Sequence, residues 1–188
     1  MFSLKHSLSA CLVLAYSYAL PTLAADAAAG AEKAAMCVGC HGPNGKSSNA
    51  QWPNLAAQQP AYVAAQLKAF KSGARANPMM QSMAANLNDQ DIENVAAYFA
   101  GQPAAKAGGD PALAKTGAEK GAMCLGCHGG QAQGNGQFPR LAGQHPGYLL
   151  TQLKNFKEGT RQSGPMQGMA GTLSEDDMKA LAAYFGSL

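Results

Sequence analysis

Apolar residues recur at helical spacing along most of this chain, and short polar or glycine-rich segments separate the helical stretches. Residues 27–37 are rich in alanine, and residues 61–71 carry apolar side chains three or four positions apart until Gly73 ends the pattern. A third helix is predicted after Asn88, where an N-cap residue and early acidic residues precede an apolar stripe that ends at Phe99. No segment shows convincing strand alternation, so the pattern predicts an all-α fold.

The second half of the chain repeats the pattern of the first, which indicates an internal duplication. The sequence Trp-Pro-Asn-Leu-Ala at residues 52–56 returns as Phe-Pro-Arg-Leu-Ala at residues 138–142. The segment between the repeats is rich in Gly, Pro and Ala and lacks apolar periodicity, as linkers do. The chain is therefore predicted to hold two similar helical domains, at residues 26–100 and 112–188, joined by a short linker at residues 101–111.

Residues 1–25 have the pattern of a secretory signal peptide rather than of a folded element. A positively charged start precedes an apolar stretch, and small residues permit cleavage near Ala24 or Ala25. The apolar run is too short for a membrane-spanning helix. Lipidation of Cys11 is disfavoured, because cleavage there would leave almost no hydrophobic region. We therefore expect export to the periplasm and loss of Cys11 with the signal.

The chemistry of the chain is concentrated in a pentapeptide that occurs twice. Cys-Val-Gly-Cys-His at residues 37–41 returns as Cys-Leu-Gly-Cys-His at residues 124–128. C-x-x-C-H is the attachment signature of haem c, in which two thiols add to the vinyl groups of one porphyrin and the next residue directs an imidazole at the iron. The pattern predicts two covalently bound haem c groups with His41 and His128 as axial ligands. The thiols that would attach them are Cys37, Cys40, Cys124 and Cys127.

The number of histidines in the chain is too small for both irons to have histidine as the second axial ligand. The chain has four histidines, and after loss of the signal only His145 lies outside the motifs, where Gln59 holds the equivalent position. Each half instead carries a methionine-rich segment, predicted to be a loop, between its second and third helices. Alignment of the repeats leaves two candidate pairs for the second ligand, which are Met80 with Met166 and Met83 with Met169.

The chain resembles a known family, cytochrome c4, over essentially its whole mature length. The resemblance rests on the doubled C-x-x-C-H motif, the sequence Phe-Pro-x-Leu-Ala-Gly-Gln-His that starts at Phe138, the methionine segments and the form of the last helix. Members are dihaem periplasmic electron carriers made of two class I cytochrome c domains. The resemblance implies that Met80 and Met166 are the axial methionines. It also implies that the carbonyl oxygens of Pro53 and Pro139 accept the Nδ1 protons of the axial histidines.

The charged residues give no sign of a nucleic-acid partner. The formal net charge is +3, no run of basic residues is present, and the propionates of two haems would bring the loaded protein close to neutrality. Arg75 and Arg161 stand at equivalent positions in the two halves. They are expected either to pair with a haem propionate or to lie solvated at the surface.

The expected ligands predict an electron carrier rather than an enzyme. His/Met ligation saturates both irons, which leaves no open position for a substrate, and thioether ligation raises the reduction potential relative to bis-His ligation. By resemblance, the redox partners are a quinol-oxidising bc1-type complex, a terminal oxidase and other periplasmic carriers, and peripheral membrane association is compatible with this role. The alternative is an electron-accepting subunit of a periplasmic sulfur- or nitrogen-compound dehydrogenase. A dihaem peroxidase is disfavoured, because it needs an open or bis-His haem.

A pyridine haemochrome assay should therefore count two haems per chain. Acid–acetone extraction of the denatured protein should leave both attached, because thioether bonds survive unfolding. A variant with Cys124→Ala and Cys127→Ala should retain one covalent haem. One haem in the unmodified chain, or haem that extracts, would contradict the prediction from the doubled motif.

Overall fold

The computed structural model describes residues 24–188, and within that range the chain is helical and forms no strand. The first half holds α1 (Ala27–Ala34), α2 (Val38–His41), α3 (Pro60–Ser72), α4 (Pro78–Ala85) and α5 (Asp89–Ala100). The second half holds α6 (Pro111–His128), α7 (Pro146–Lys157), α8 (Gly164–Gly171) and α9 (Glu175–Ser187). These helices confirm the all-α prediction. The predicted signal peptide lies, apart from its last two residues, outside the described residues.

The two halves have the same helix packing. In the first half α1 packs against α5, and α3 packs against both α4 and α5. In the second half α6 packs against α9, and α7 packs against both α8 and α9. The halves differ at the pentapeptide, where a 3₁₀ turn at Ala35–Cys37 separates α1 from α2, whereas α6 runs unbroken through the equivalent residues. None of the described helices is long and apolar enough to cross a membrane.

Each half has a small apolar core beneath its last helix. Ile92, Val95 and Phe99 on α5 are fully buried, as the sequence pattern predicts, and Leu181 and Phe185 occupy the corresponding face of α9. Burial of each large side chain contributes about 1.5–3 kcal/mol. Because each core is small, a large apolar cofactor fixed to it would contribute much of the stability of its half.

Equivalent acidic residues tie the first helix of each half to the last. Asp91 completes a capping box with Asn88 at the start of α5 and pairs with Lys33 of α1 at 3.1 Å. In the second half Asp177 completes the capping box of α9 and pairs with Lys120 of α6 at 2.7 Å. Hydrogen bonds from Lys120 and then from Ser174 lower the pKa of Asp177 to about 2.

The methionine-rich segments are short helices, so the prediction of loops there was wrong. Asn77 caps α4, because its side chain accepts a 2.9 Å hydrogen bond from the backbone N–H of Met80. Pro78 and Pro165 lie in the first turns of α4 and α8, where the fixed φ of proline favours helix initiation. The eight-residue length of each helix left too few apolar positions for a helical period to be recognised.

Glycines allow the first and last helices of each half to cross at close range. A Cβ atom on Gly30 would overlap the carbonyl oxygen of Asn94 on α5. A Cβ atom on Gly117 would overlap the carbonyl oxygen of Ala180 on α9 in the same way. Both obstacles are backbone atoms, so a larger residue forces the helices apart.

Gly30→Ala should therefore destabilise the protein by about 2 kcal/mol, the usual scale of overpacking. Helix propensity alone would change stability in the opposite direction, by about 1 kcal/mol, because alanine is the better helix former. Gly101→Ala is the matched control, since Gly101 has helical φ and only ordinary contacts around its Cβ position. Denaturant unfolding of the haem-loaded variants measures both effects. Equal stability of the two variants would contradict the close helix crossing.

Candidate haem sites

The pentapeptides place two thiols beside one histidine in each half. Cys37 ends the 3₁₀ turn and Cys40 lies in α2, while Cys124 and Cys127 lie on α6. None of these four cysteines forms a disulfide. Burial, and then the neighbouring Cys40, raise the pKa of Cys37, and burial with Cys127 does the same to the pKa of Cys124. Each pair thus lies close together beside its histidine, as attachment to the two vinyl groups of one haem requires.

The histidine of each motif is buried and held by one hydrogen bond. His41 donates from Nδ1 to the carbonyl oxygen of Pro53 at 2.9 Å, and His128 donates from Nδ1 to the carbonyl oxygen of Pro139 at 2.8 Å. Both bonds implied by the family resemblance are thus present. They leave each Nε2 without a proton and available as a ligand.

Burial keeps both imidazoles in the form that ligates metals. Burial lowers the pKa of His41 and of His128, and the hydrogen bond to the proline carbonyl opposes this shift only in part. The neutral imidazole is therefore favoured at neutral pH. Gly42 and Gly129 follow the two histidines with positive φ of 72° and 86°. In each half the helix ends at this glycine, and the loop that follows carries the proline whose carbonyl accepts from the ring.

The candidate methionines lie in corresponding turns of α4 and α8. Met80 and Met166 are the third residues of these helices and are half-buried, and Met83 follows one turn later. Met169 is 36% exposed and Met79 is 57% exposed. Burial in the second half thus favours Met166 over Met169. The assignment of Met80 and Met166 as the second axial ligands stays a prediction.

Two arginines form a polar cluster between the halves. Arg75 donates from Nη1 to Gln66 Oε1 in its own half at 2.8 Å. Its Nη2 donates across the interface to Tyr148 Oη at 3.1 Å and to Gln152 Oε1 at 2.9 Å.

Arg161 makes the corresponding set of bonds from the second half. Its Nη1 donates to Gln152 Oε1 at 2.8 Å, and its Nη2 donates to Tyr62 Oη at 2.8 Å and to Gln66 Oε1 at 2.9 Å. The two guanidinium groups therefore share both glutamine oxygens. Arg161 is only 8% exposed, so the expectation of a solvated surface position is wrong for this residue.

The arginine cluster carries positive charge with no carboxylate against it. The ion pairs within residues 24–188 are all made by lysines, and neither arginine belongs to one. Each guanidinium instead stacks 4.5 Å from the centroid of a phenylalanine ring, Phe70 or Phe156. Burial alone would raise the pKa of Tyr148, but Arg75 and Arg161 outweigh it and lower that pKa. Buried cations normally have an anionic partner. Haem propionates would meet this requirement. The arginines, the thiol pairs and the neutral imidazoles together therefore suit haem c.

Sequence reasoning missed two residues, Gln58 and Gln144, that reach from each half to the other. Both are buried, and each contacts the residue directly after the proline that holds the histidine of the opposite half. The signal was present in the repeated Leu-Ala-x-Gln sequence at residues 55–58 and 141–144.

His145, which was not expected to be a ligand, donates from Nε2 to the carbonyl oxygen of Ser47 in the other half at 2.9 Å.

Comparisons with known proteins agree with this arrangement. The family model described as cytochrome c matches the chain twice, at residues 27–103 and 105–188. Cytochrome c4 of Pseudomonas aeruginosa is 39% identical over 180 residues, which cover 88% of this chain and 90% of that protein. The crystal structure of reduced recombinant cytochrome c4 from Pseudomonas stutzeri superposes with a TM-score of 0.83 at 38% identity. It covers 88% of this chain and 100% of its own.

A relative with a more specific name is also similar. The thiosulfate dehydrogenase electron acceptor of Stutzerimonas stutzeri strain A1501 is 39% identical over 177 residues, which cover 85% of this chain and 82% of that protein. The two matches to one family model show two tandem domains, each with its own covalent haem c.

Replacement of the candidate methionines should identify the second axial ligand of the first haem. Met80→Ala should remove about half of the weak red absorption band that marks a thioether bound to Fe(III), because one of two haems loses its sulfur ligand. Met83→Ala is the matched control one helical turn away and should leave the band intact. Loss of the band in Met83→Ala, with retention in Met80→Ala, would contradict the assignment.

Proposed function

Because the chain belongs to the cytochrome c family, as a dihaem member of the cytochrome c4 type, we propose that it carries electrons in the periplasm from a quinol-oxidising bc1-type complex to a terminal oxidase. The observation that carries the proposal is the repetition of one complete ligand geometry. Each half has a thiol pair, a buried neutral imidazole and a carbonyl that fixes the imidazole. Two equivalent redox sites suit a carrier, since they require no substrate pocket.

The residues proposed for each site follow from this geometry and from the alignment of the halves. In the first half Cys37 and Cys40 attach the haem, and His41 and Met80 are its axial ligands. The corresponding residues of the second half are Cys124, Cys127, His128 and Met166. Bound haem supplies a one-electron iron couple, whose potential thioether ligation raises relative to bis-His ligation. The proline carbonyls fix the orientation of the imidazoles, and Arg75 and Arg161 would pair with haem propionates.

The proposed ligands also support the absence of catalysis. With the imidazole and the methionine sulfur both bound, the iron would have no position open to a substrate. The sequence pattern of residues 1–25 is that of a secretory signal, with cleavage proposed near Ala24 or Ala25. This pattern supports a periplasmic location. Redox proteins are the proposed partners, with other periplasmic carriers among them.

A second function is favoured by one of the relatives. Similarity to a thiosulfate dehydrogenase electron acceptor, over most of both chains, supports a role as the dedicated acceptor of a periplasmic sulfur-compound dehydrogenase. The same two sites would serve this role. The two proposals differ in the electron donor rather than in the chemistry of the sites.

Stopped-flow kinetics should separate the two donors. A bc1-type complex with quinol should reduce both haems of the purified protein, and a terminal oxidase should reoxidise them. A thiosulfate dehydrogenase with thiosulfate serves as the competing donor at the same concentration. Faster reduction by the dehydrogenase than by the bc1-type complex would favour the second function, and reduction by neither would contradict both.

A further inference from the structure

Gln58 and Gln144 make the same pair of hydrogen bonds in opposite directions across the interface. Gln144 accepts on Oε1 from the N–H of Asn54 at 2.7 Å and donates from Nε2 to the Asn54 carbonyl at 2.9 Å. Gln58 does the same with Arg140, at 2.7 Å and 3.1 Å. Each carboxamide oxygen also accepts the N–H of the next residue in its own half, at 2.9 Å for Gln58 and 3.0 Å for Gln144.

The N–H that each glutamine binds belongs to the peptide group that holds a histidine. The carbonyl of Pro53 accepts from His41 Nδ1, and the N–H of that same peptide group is the one of Asn54 that donates to Gln144. In the other half the Pro139–Arg140 peptide lies in the same way between His128 and Gln58. One planar amide therefore separates each buried glutamine from the histidine of the opposite half.

Amide resonance links the two ends of such a peptide group. Delocalisation moves charge from nitrogen to oxygen, so an acceptor on the N–H increases the negative charge on the carbonyl oxygen. A more negative oxygen binds the histidine Nδ1 proton more strongly, which makes the imidazole a more basic ligand. A more basic ligand favours Fe(III) over Fe(II) and lowers the reduction potential.

We propose that Gln144 and Gln58 are positioning residues that each lower the reduction potential of the haem in the opposite half, by acting through the Pro53–Asn54 and Pro139–Arg140 peptides on the axial histidines. The proposal rests on the proposed ligation by His41 and His128. It makes both potentials depend on the docking of the two halves. This relay of glutamine, peptide group and histidine carries no net charge. Its glutamines and histidines are buried, so salt screens it far less than it screens charge repulsion between exposed groups.

Gln144→Met tests the relay in the haem-loaded full chain, because it removes the carboxamide at similar side-chain length. We expect the potential of the first haem to rise by about 20–40 mV, while that of the second stays constant. At 59 mV per tenfold, this shift is about a two- to fivefold change in the ratio of oxidised to reduced protein. The corresponding free energy is a fraction of that of one hydrogen bond. A redox titration followed by the NMR resonances of the haem methyl groups resolves the two sites. Gln58→Met should show the reverse pattern.

A second readout reports on the hydrogen bond itself. In the reduced, diamagnetic protein, the Nδ1 proton resonance of His41 should move upfield in Gln144→Met, and that of His128 should not. Gln59→Met is the matched control. Gln59 also crosses the interface, but it binds the carbonyl of Gln133 at 3.0 Å and the N–H of Gly136 at 3.2 Å rather than a proline peptide. This control should leave both potentials and both histidine resonances unchanged.

Several outcomes would overturn the relay. Equal shifts of both potentials in Gln144→Met, or a similar shift in Gln59→Met, would indicate general loosening of the interface. Unchanged potentials with an unchanged His41 resonance would show that no polarisation is transmitted. If Gln144→Met does not load haem, Gln144→Asn carries the same expectation, since it keeps the amide but is one methylene too short. Absence of a low-spin His/Met spectrum in the unmodified protein would contradict the ligation itself, whereas an intact spectrum with unshifted potentials contradicts only the relay.

Discussion

A buried imidazole has two ring nitrogens, and a carbonyl that binds one of them decides where the other points. In this protein the carbonyl oxygens of Pro53 and Pro139 bind Nδ1 of His41 and His128. The rest of each half is arranged around that bond. A glycine with positive φ ends the helix after the histidine, and the following loop brings the proline carbonyl to the ring. The last helix of each half supplies apolar side chains to the core. One thiol directly precedes the histidine and the other lies about one turn before it, so one short stretch of chain positions every group of the motif.

The interface between the halves is built from polar groups, in contrast to the apolar cores. Glutamine, tyrosine and arginine side chains make most of its hydrogen bonds. The bonds of Gln58 and Arg75 have counterparts from the opposite half in those of Gln144 and Arg161. Such bonds require defined distances and angles, so they select one relative orientation of the halves where apolar packing would permit several. Because the contacts reach the peptides beside both histidines, the orientation of the halves and the surroundings of the ligands are determined by the same residues.

Periodicity and caps were enough to predict the helices other than α4 and α8, and the repeated motif pointed to the cysteines and histidines of each candidate site. The start of α5 at Asn88 and the buried stripe to Phe99 followed from side-chain chemistry that acts within a few residues. The relay glutamines could not be predicted in this way, because the partner of Gln144 depends on how one half sits on the other. The two alternatives for Arg161 could not be separated from sequence for the same reason, since its burial depends on how the first half packs over it.

Arg75 and Arg161 donate to the same two glutamine oxygens, and this sharing has a consequence for assembly. Two cations held against the same acceptors repel each other, and the repulsion is strongest where water is excluded. Haem propionates that paired with these arginines would offset the repulsion, so we expect the halves to associate more tightly with haem than without it. The charges of two side chains would then couple cofactor attachment to the docking of the halves.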